Sequence, residues 1–143
     1  MNRPEPWNQW IDLETIHSLY AAGIHNYGGL GSPSKEGCVD AALGAAYNAE
    51  MYSMPEYESE TVITGLCFCG YLLFYLATKH CFTDGNKRVA WASAMWVLFK
   101  LGLTISASDD EVIAFCLDVA GGKVIKGEDV VNWIAEHVSE IGT

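Results

Sequence analysis

Residues Leu76 to Arg88 (LATKHCFTDGNKR) gather into one short stretch the side chains of this chain best suited to chemistry. His80 is the side chain type that can take a proton from a hydroxyl as a general base. Asp84 is the kind of carboxylate that holds magnesium together with substrate phosphates. It also suits an N-cap, and the two roles are compatible. Gly85 permits a tight turn and close approach of an anion to the backbone. Asn86 offers its amide to a phosphate or to the loop backbone, and Lys87 and Arg88 add two cations. A helix opening at Gly85 or Asn86 has first N–H groups without intrahelical partners, and these carry partial positive charge. Cations in that turn oppose the dipole unless an anion is shared between them, a conflict expected at functional sites. The parts describe a phosphate cradle beside a general base. The plainer alternatives are His80 as a helix C-cap and a chance cluster of charge on a solvated face.

Two apolar segments must position this stretch. Val62 to Thr78 and Val89 to Phe99 contain no charged residue, the mark of helices buried on all sides. The first approaches the ~18-residue run of a membrane span. Gly65 and Gly70 interrupt it and the second run is too short, so a buried core helix is expected. Elsewhere helical periodicity dominates. A first helix follows Asp12, an N-cap, and reaches about Ile24. Asn26 to Ser34 (NYGGLGSPS) is turn-rich loop. A second helix covers roughly Lys35 to Asn48, with Val39, Ala42, Ala45 and Ala46 as small packing positions. Glu50 to Glu58 is a loop or short hairpin whose Tyr52 and Tyr57 suit target docking, or ordinary packing. Ser59 is a cap for the third helix, which ends at Lys79 and His80. The fourth runs to about Lys100. Ser108 to Glu111 form a capping box for a fifth helix that stops at Gly121 and Gly122. Glu128 and Asp129 open a sixth, with Val130, Val131, Trp133, Ile134 and Val138 as its apolar face. The expectation is an all-α single domain of about six helices over residues 12–143, preceded by an N-terminal arm, 1–11, that carries Pro4 and Pro6.

Composition narrows the function. Half of the 143 residues are hydrophobic, enough for a real core, and the length suits one domain. The formal net charge of −10 argues against nucleic acid as a partner. Three of the eight Lys and Arg residues (Lys79, Lys87, Arg88) nevertheless lie within ten positions, as in a site that focuses an anion. The five cysteines, Cys38, Cys67, Cys69, Cys81 and Cys116, are odd in number and irregular in spacing. That reads as small core residues in a reducing cytosol, not a disulfide framework or a metal site. Cys81, inside the charged loop, is open to oxidation. No basic segment followed by an apolar one suggests a secretory signal.

His80, Phe82, Asp84, Gly85, Asn86 and Arg88 occupy every defining position of the HxFx(D/E)GNxR motif, so the chain resembles the Fic and Doc superfamily. The GGLGSP loop, a helix, the central apolar helix, the motif and two further helices are similar to the short Doc (death-on-curing) branch from Asp12 to Val138. The resemblance implies that His80 deprotonates a target-protein hydroxyl and Asp84 holds Mg²⁺. Gly85, Asn86 and Arg88 would bind the phosphates of ATP, with the Lys87 cation of the cradle beside them. Fic-type members transfer AMP to Ser, Thr or Tyr. The Doc branch transfers the terminal phosphoryl group to a translation elongation factor, arresting growth, and an antitoxin protein neutralises it. Lys87 stands where Fic-type motifs often have a second Gly, and Trp91 where they have a second Arg. Both departures resemble Doc. The resemblance therefore implies a cytoplasmic phosphotransferase toxin; protein AMP transfer and a non-catalytic anion- or partner-binding module are the alternatives. Ser32, Glu36 and Gly37 fit the SxxxE(G/N) pattern of the Fic inhibitory helix. There the Glu pairs with the second motif Arg; with Trp91 in that place, the match reads as coincidence.

Overall fold

The computed structural model describes residues 10–29, 31–53 and 61–142. Six helices cover most of them: α1 (Leu13–Tyr27), α2 (Cys38–Ser53), α3 (Thr61–Thr78), α4 (Asn86–Lys100), α5 (Asp109–Ala120) and α6 (Gly127–His137). Two three-residue strands, β1 (Leu103–Ile105) and β2 (Val138–Glu140), pair antiparallel with Thr104 opposite Ser139. The all-α single domain of about six helices expected from the sequence is what the described residues form.

The helix ends follow local chemistry. The Asp12 carboxylate accepts from the Thr15 N–H at 2.8 Å and opens α1. Ser108 and Glu111 cap α5 reciprocally, each bond at 3.1 Å, which satisfies two N–H groups the helix itself leaves unpaired. The second helix starts later than the sequence suggests, at Cys38, because Gly37 has φ +71° and cannot continue a helix backward. It also runs further, through Ser53, so Glu50 lies in a helix and is buried. The rest of the proposed tyrosine loop, with Tyr57 and the proposed Ser59 cap, lies outside the described residues.

α3 is the centre of the molecule. It packs on α2, α4, α5 and α6, and Phe68, Leu72, Leu73 and Leu76 are fully buried. The two glycines that interrupt its apolar run are contact points. A Cβ on Gly70 would lie 2.5–2.8 Å from Val131 of α6, and one on Gly65 would lie 2.6 Å from Leu101. No helix among the described residues is long and apolar enough to cross a membrane.

Three expectations need correction. α4 is not buried on all sides: Trp96 is 38% and Phe99 68% exposed, beside Leu103 and Ile141. Its inner positions, Val89, Ala90, Ala94, Val97 and Leu98, are buried, so one face meets α3 and another is open. Trp10 and Ile11, assigned to the arm, are buried in the core. Cys38 and Cys81 are not independent core thiols but a disulfide across 43 positions of sequence. Cys67, Cys69 and Cys116 are free, with Cys67 and Cys69 buried as expected.

Candidate active site

The sequence from His80 to Arg88 forms the turn from the end of α3 to the start of α4. Two consecutive residues at its centre point inward: Cys81 and Phe82 are 1% and 3% exposed. Phe82 stacks on Tyr20 of α1, ring centroids 3.8 Å apart, and meets His17 edge-on. It anchors the loop in the core, as its apolar character in a charged stretch suggests. Around this anchor, His80, Thr83, Asp84, Lys87 and Arg88 are exposed.

His80 has φ +52°, and no other non-glycine residue among those described has positive φ. An L-residue there costs about 1–2 kcal/mol, so the surrounding contacts must hold it. Strain of this kind concentrates at functional sites. Gly85 follows with φ +82°, a conformation its lack of a Cβ permits, and turns the chain into α4.

Asn86 clamps the loop. Its Oδ1 accepts from the Phe82 N–H at 3.0 Å, and its Nδ2 donates to the Phe82 carbonyl at 2.8 Å. Of the two roles open to its amide, fixing the backbone is the one the geometry shows. Asp84 Oδ1 accepts from the Gly85 N–H at 2.8 Å. Its Oδ2 lies against Gly29, where an added Cβ would come within 2.7 Å of it.

The first turn of α4 is open to an anion. The first intrahelical bond runs from the Val89 N–H to the Gly85 carbonyl, and no side chain caps the helix. The N–H groups of Asn86, Lys87 and Arg88 therefore point their partial charge away from α4 beside the Asp84 carboxylate. The space beneath is filled. Between Leu19, Tyr20, Gly23, Ile24 and Arg88 there is no room for a water molecule, so a phosphate must come from the outer side.

The two cations differ from one another. Arg88 reaches across to α1, where its Nη1 donates to the carbonyls of Gly23 at 3.1 Å and Gly28 at 3.0 Å. Its guanidinium carbon lies 5.3 Å from the centre of the Tyr27 ring. It thus caps the negative end of the α1 dipole, a reason for a cation here that needs no anion. Gly23 makes the crossing possible, since a Cβ there would meet Arg88 Cδ at 2.9 Å. Lys87 lies within electrostatic reach of Cys116 on α5. Burial pushes the Cys116 thiol up to about 11, and the Lys87 ammonium partly opposes that rise.

The segment before α2 braces the loop. The Thr83 N–H donates to Ser32 Oγ at 3.2 Å, and the Lys35 N–H to the Cys81 carbonyl at 2.8 Å. The Ser32 N–H donates to the Tyr20 hydroxyl at 3.2 Å, and His17 Nε2 meets Ser34 Oγ at 2.9 Å. Sequence reasoning found none of these supports, nor the roles of Tyr20, Gly23 and Gly29. Turn composition marks such a segment as loop and does not say what it touches. Trp91, where a second motif Arg is often found, stands edge-on to Trp133, which stacks on Phe115 and His137. Glu36 is exposed, and no ion pair or hydrogen bond joins its side chain to the loop among the described residues.

For magnesium, Asp84 is the available ligand. No cluster of three His, Cys, Asp or Glu side chains that could hold a metal occurs among the described residues. An exposed carboxylate beside uncapped helix N–H groups fits an ion that takes its other ligands from substrate phosphates and water.

Residues 10–98 match the profile of the Fic/DOC family. Its members are typically transferases of nucleotide-derived groups onto proteins and generally use ATP with Mg²⁺. No curated protein matches the chain. The matched span takes in α1 to α3, the whole loop from His80 and nearly all of α4. With more than half of its length matched and the His80 to Arg88 loop folded onto an open helix start, the chain belongs to the Fic/DOC family.

Proposed function

We propose that this protein transfers the terminal phosphoryl group of ATP to a hydroxyl of a cytoplasmic protein, as in the Doc branch. The observation that carries the reading is the uncapped first turn of α4, flanked by exposed His80 and Asp84. The N–H groups of Asn86 to Arg88 receive phosphate oxygens, and Gly85 lets them approach the backbone. His80, as neutral imidazole, takes the proton of the target hydroxyl. The freed oxygen attacks the terminal phosphorus, the bond to the bridging oxygen breaks, and ADP leaves. Phosphoryl transfer depends mainly on positioning and charge stabilisation, and a loop clamped by Asn86 and Phe82 supplies the former. Mg²⁺ held by Asp84 would neutralise charge on the phosphates. Lys87 and Arg88 add positive charge around the same turn.

The choice of the terminal phosphoryl over AMP is supported by Trp91. Its ring is committed to an aromatic cluster with Trp133, so this position supplies no cation to the outer phosphates. By resemblance the target is a translation elongation factor, and an antitoxin protein restrains the activity in a toxin–antitoxin pair. The test is incubation with ATP labelled at the γ or the α position and a purified elongation factor. Label from the γ position alone, lost in His80→Ala, is the expected result. Label from the α position would indicate AMP transfer. Equal results for wild type and His80→Ala, with nucleotide bound and unturned, would indicate a binding module.

A further inference from the structure

Cys81 sits between His80 and Phe82, inside the loop the proposed reaction uses, and is disulfide-bonded to Cys38 at the start of α2. Contacts on the two halves of this loop are unequal. The later half is held without covalent help: Phe82 stacks on Tyr20 and is clamped twice by Asn86, and Thr83 is bonded to Ser32. The earlier half contains His80, exposed and in the left-handed region. Its neighbour Cys81 is fixed by the disulfide and by one hydrogen bond from Lys35. A strained backbone persists only where its surroundings over-determine it. Here the covalent bond acts together with the burial of Cys81 in the core.

The two cysteines also differ in exposure. Cys81 is fully buried, whereas Cys38 is half-buried at the first position of its helix. We propose that Cys38–Cys81 is a thiol–disulfide exchange site through which a small thiol of the glutathione class sets the order of the backbone at His80. A thiolate from solvent attacks Cys38 Sγ. The new mixed S–S bond forms, the Cys38–Cys81 bond breaks, and Cys81 leaves as a thiolate that takes up a proton. A second small thiol attacks the mixed disulfide, freeing Cys38 as a thiol and leaving an oxidised small-molecule disulfide. Two electrons thus pass from two small thiols to the protein. Reduction releases the His80 side of the loop, while the Phe82–Asn86 clamp keeps α4 in register.

The consequence for catalysis rests on His80 being the base proposed above; the structural test does not. The intact protein is equilibrated in a series of reduced and oxidised glutathione, and Cys38 and Cys81 are mapped by mass spectrometry. Amide hydrogen exchange is followed over residues 79–83, with α3 and α4 as internal controls. Expected are a Cys38–Cys81 link that opens reversibly and, when open, exchange at 79–83 faster by about tenfold at short labelling times, at which α3 and α4 stay protected in both states. Cys38→Ser should reproduce the reduced pattern, and wild type reoxidised after reduction should regain its protection. Two free thiols throughout the series, unchanged exchange on reduction, or loss of protection across α3 and α4 together would each overturn the proposal. If the local loosening occurs but no ATP label is transferred in either state, the exchange site stands and the kinase reading fails.

Discussion

Gly85 carries φ +82°, and a Cβ there would come within 3.3 Å of the Tyr20 ring. Gly85→Ala should therefore cost about 1–2 kcal/mol from the backbone alone. It should also disturb the stack that seats Phe82, so phosphate-ligand affinity should fall more than stability does. Thermal melts alongside nucleotide titration separate the two. Asn86→Asp probes the clamp more finely. The carboxylate still accepts from the Phe82 N–H but turns an oxygen toward the Phe82 carbonyl, where the amide donated. Losing that donor should cost about 1–3 kcal/mol, partly offset by about 0.3–1 kcal/mol for an anion at a helix start. The same charge repels phosphate, so binding of ATP should weaken beyond what the melt accounts for; an affinity equal to wild type would argue against phosphate at this turn.

At the scale of elements, α5 is a clear case of sequence chemistry writing a helix end. Ser108→Ala removes one half of the capping box and should destabilise by about 1 kcal/mol, read in denaturant unfolding. The other half has a pH signature. The Ser108 backbone N–H, then its hydroxyl, hold the Glu111 carboxyl below the usual glutamate range. A lowered folded value means the stabilisation is present above the ordinary pKa of about 4.3 and is lost as pH falls through the folded value. Glu111→Gln keeps a side-chain acceptor and removes the charge. The variant should melt slightly below wild type at pH 7, and the gap should close as the medium is acidified below about pH 4. A gap that widens in acid would mean that the carboxylate is not what the cap stabilises. The small ribbon β1–β2 had no comparable signal: three residues per strand are too few to show an alternation.

For the whole molecule, the contact of α3 with α6 is the one most exposed to a single change. At Gly70 an added methyl would meet the backbone of Val131, Cα at 2.6 Å and N at 2.8 Å, as well as its side chain. Backbone cannot rotate aside, so Gly70→Ala should fall at the upper end of overpacking costs, about 3 kcal/mol. That corresponds to a Tm lower by roughly 6–12 °C. An unchanged Tm would show that α6 can slide on α3 without loss. Reduction of Cys38–Cys81 acts at this scale as well, because the bond closes a long loop spanning α2 and α3. Freeing it should lower Tm by roughly 5–15 °C on the chain-entropy account.

What could be read from the linear chain shares one property: it is local. The apolar runs marked α3 and α4, Asp12 and Ser108 marked helix starts, and spacing within nine residues assembled His80, Asp84 and the glycine turn. Hydrogen bonds three or four residues apart and a 3.6-residue period leave their trace in neighbouring letters. The contacts that hold the loop in place are of another kind. Cys38 finds Cys81 across 43 positions, Arg88 finds Gly23 and Gly28 on α1, and Tyr20 finds Phe82. Likewise, α4 carries no charge from Val89 to Phe99, and only the packing of its neighbours, α1 and α3 foremost, decided which face stays open. Which distant residues meet depends on how the helices stack around α3, and that arrangement minimises exposed surface over the whole molecule at once. No short window of sequence contains it.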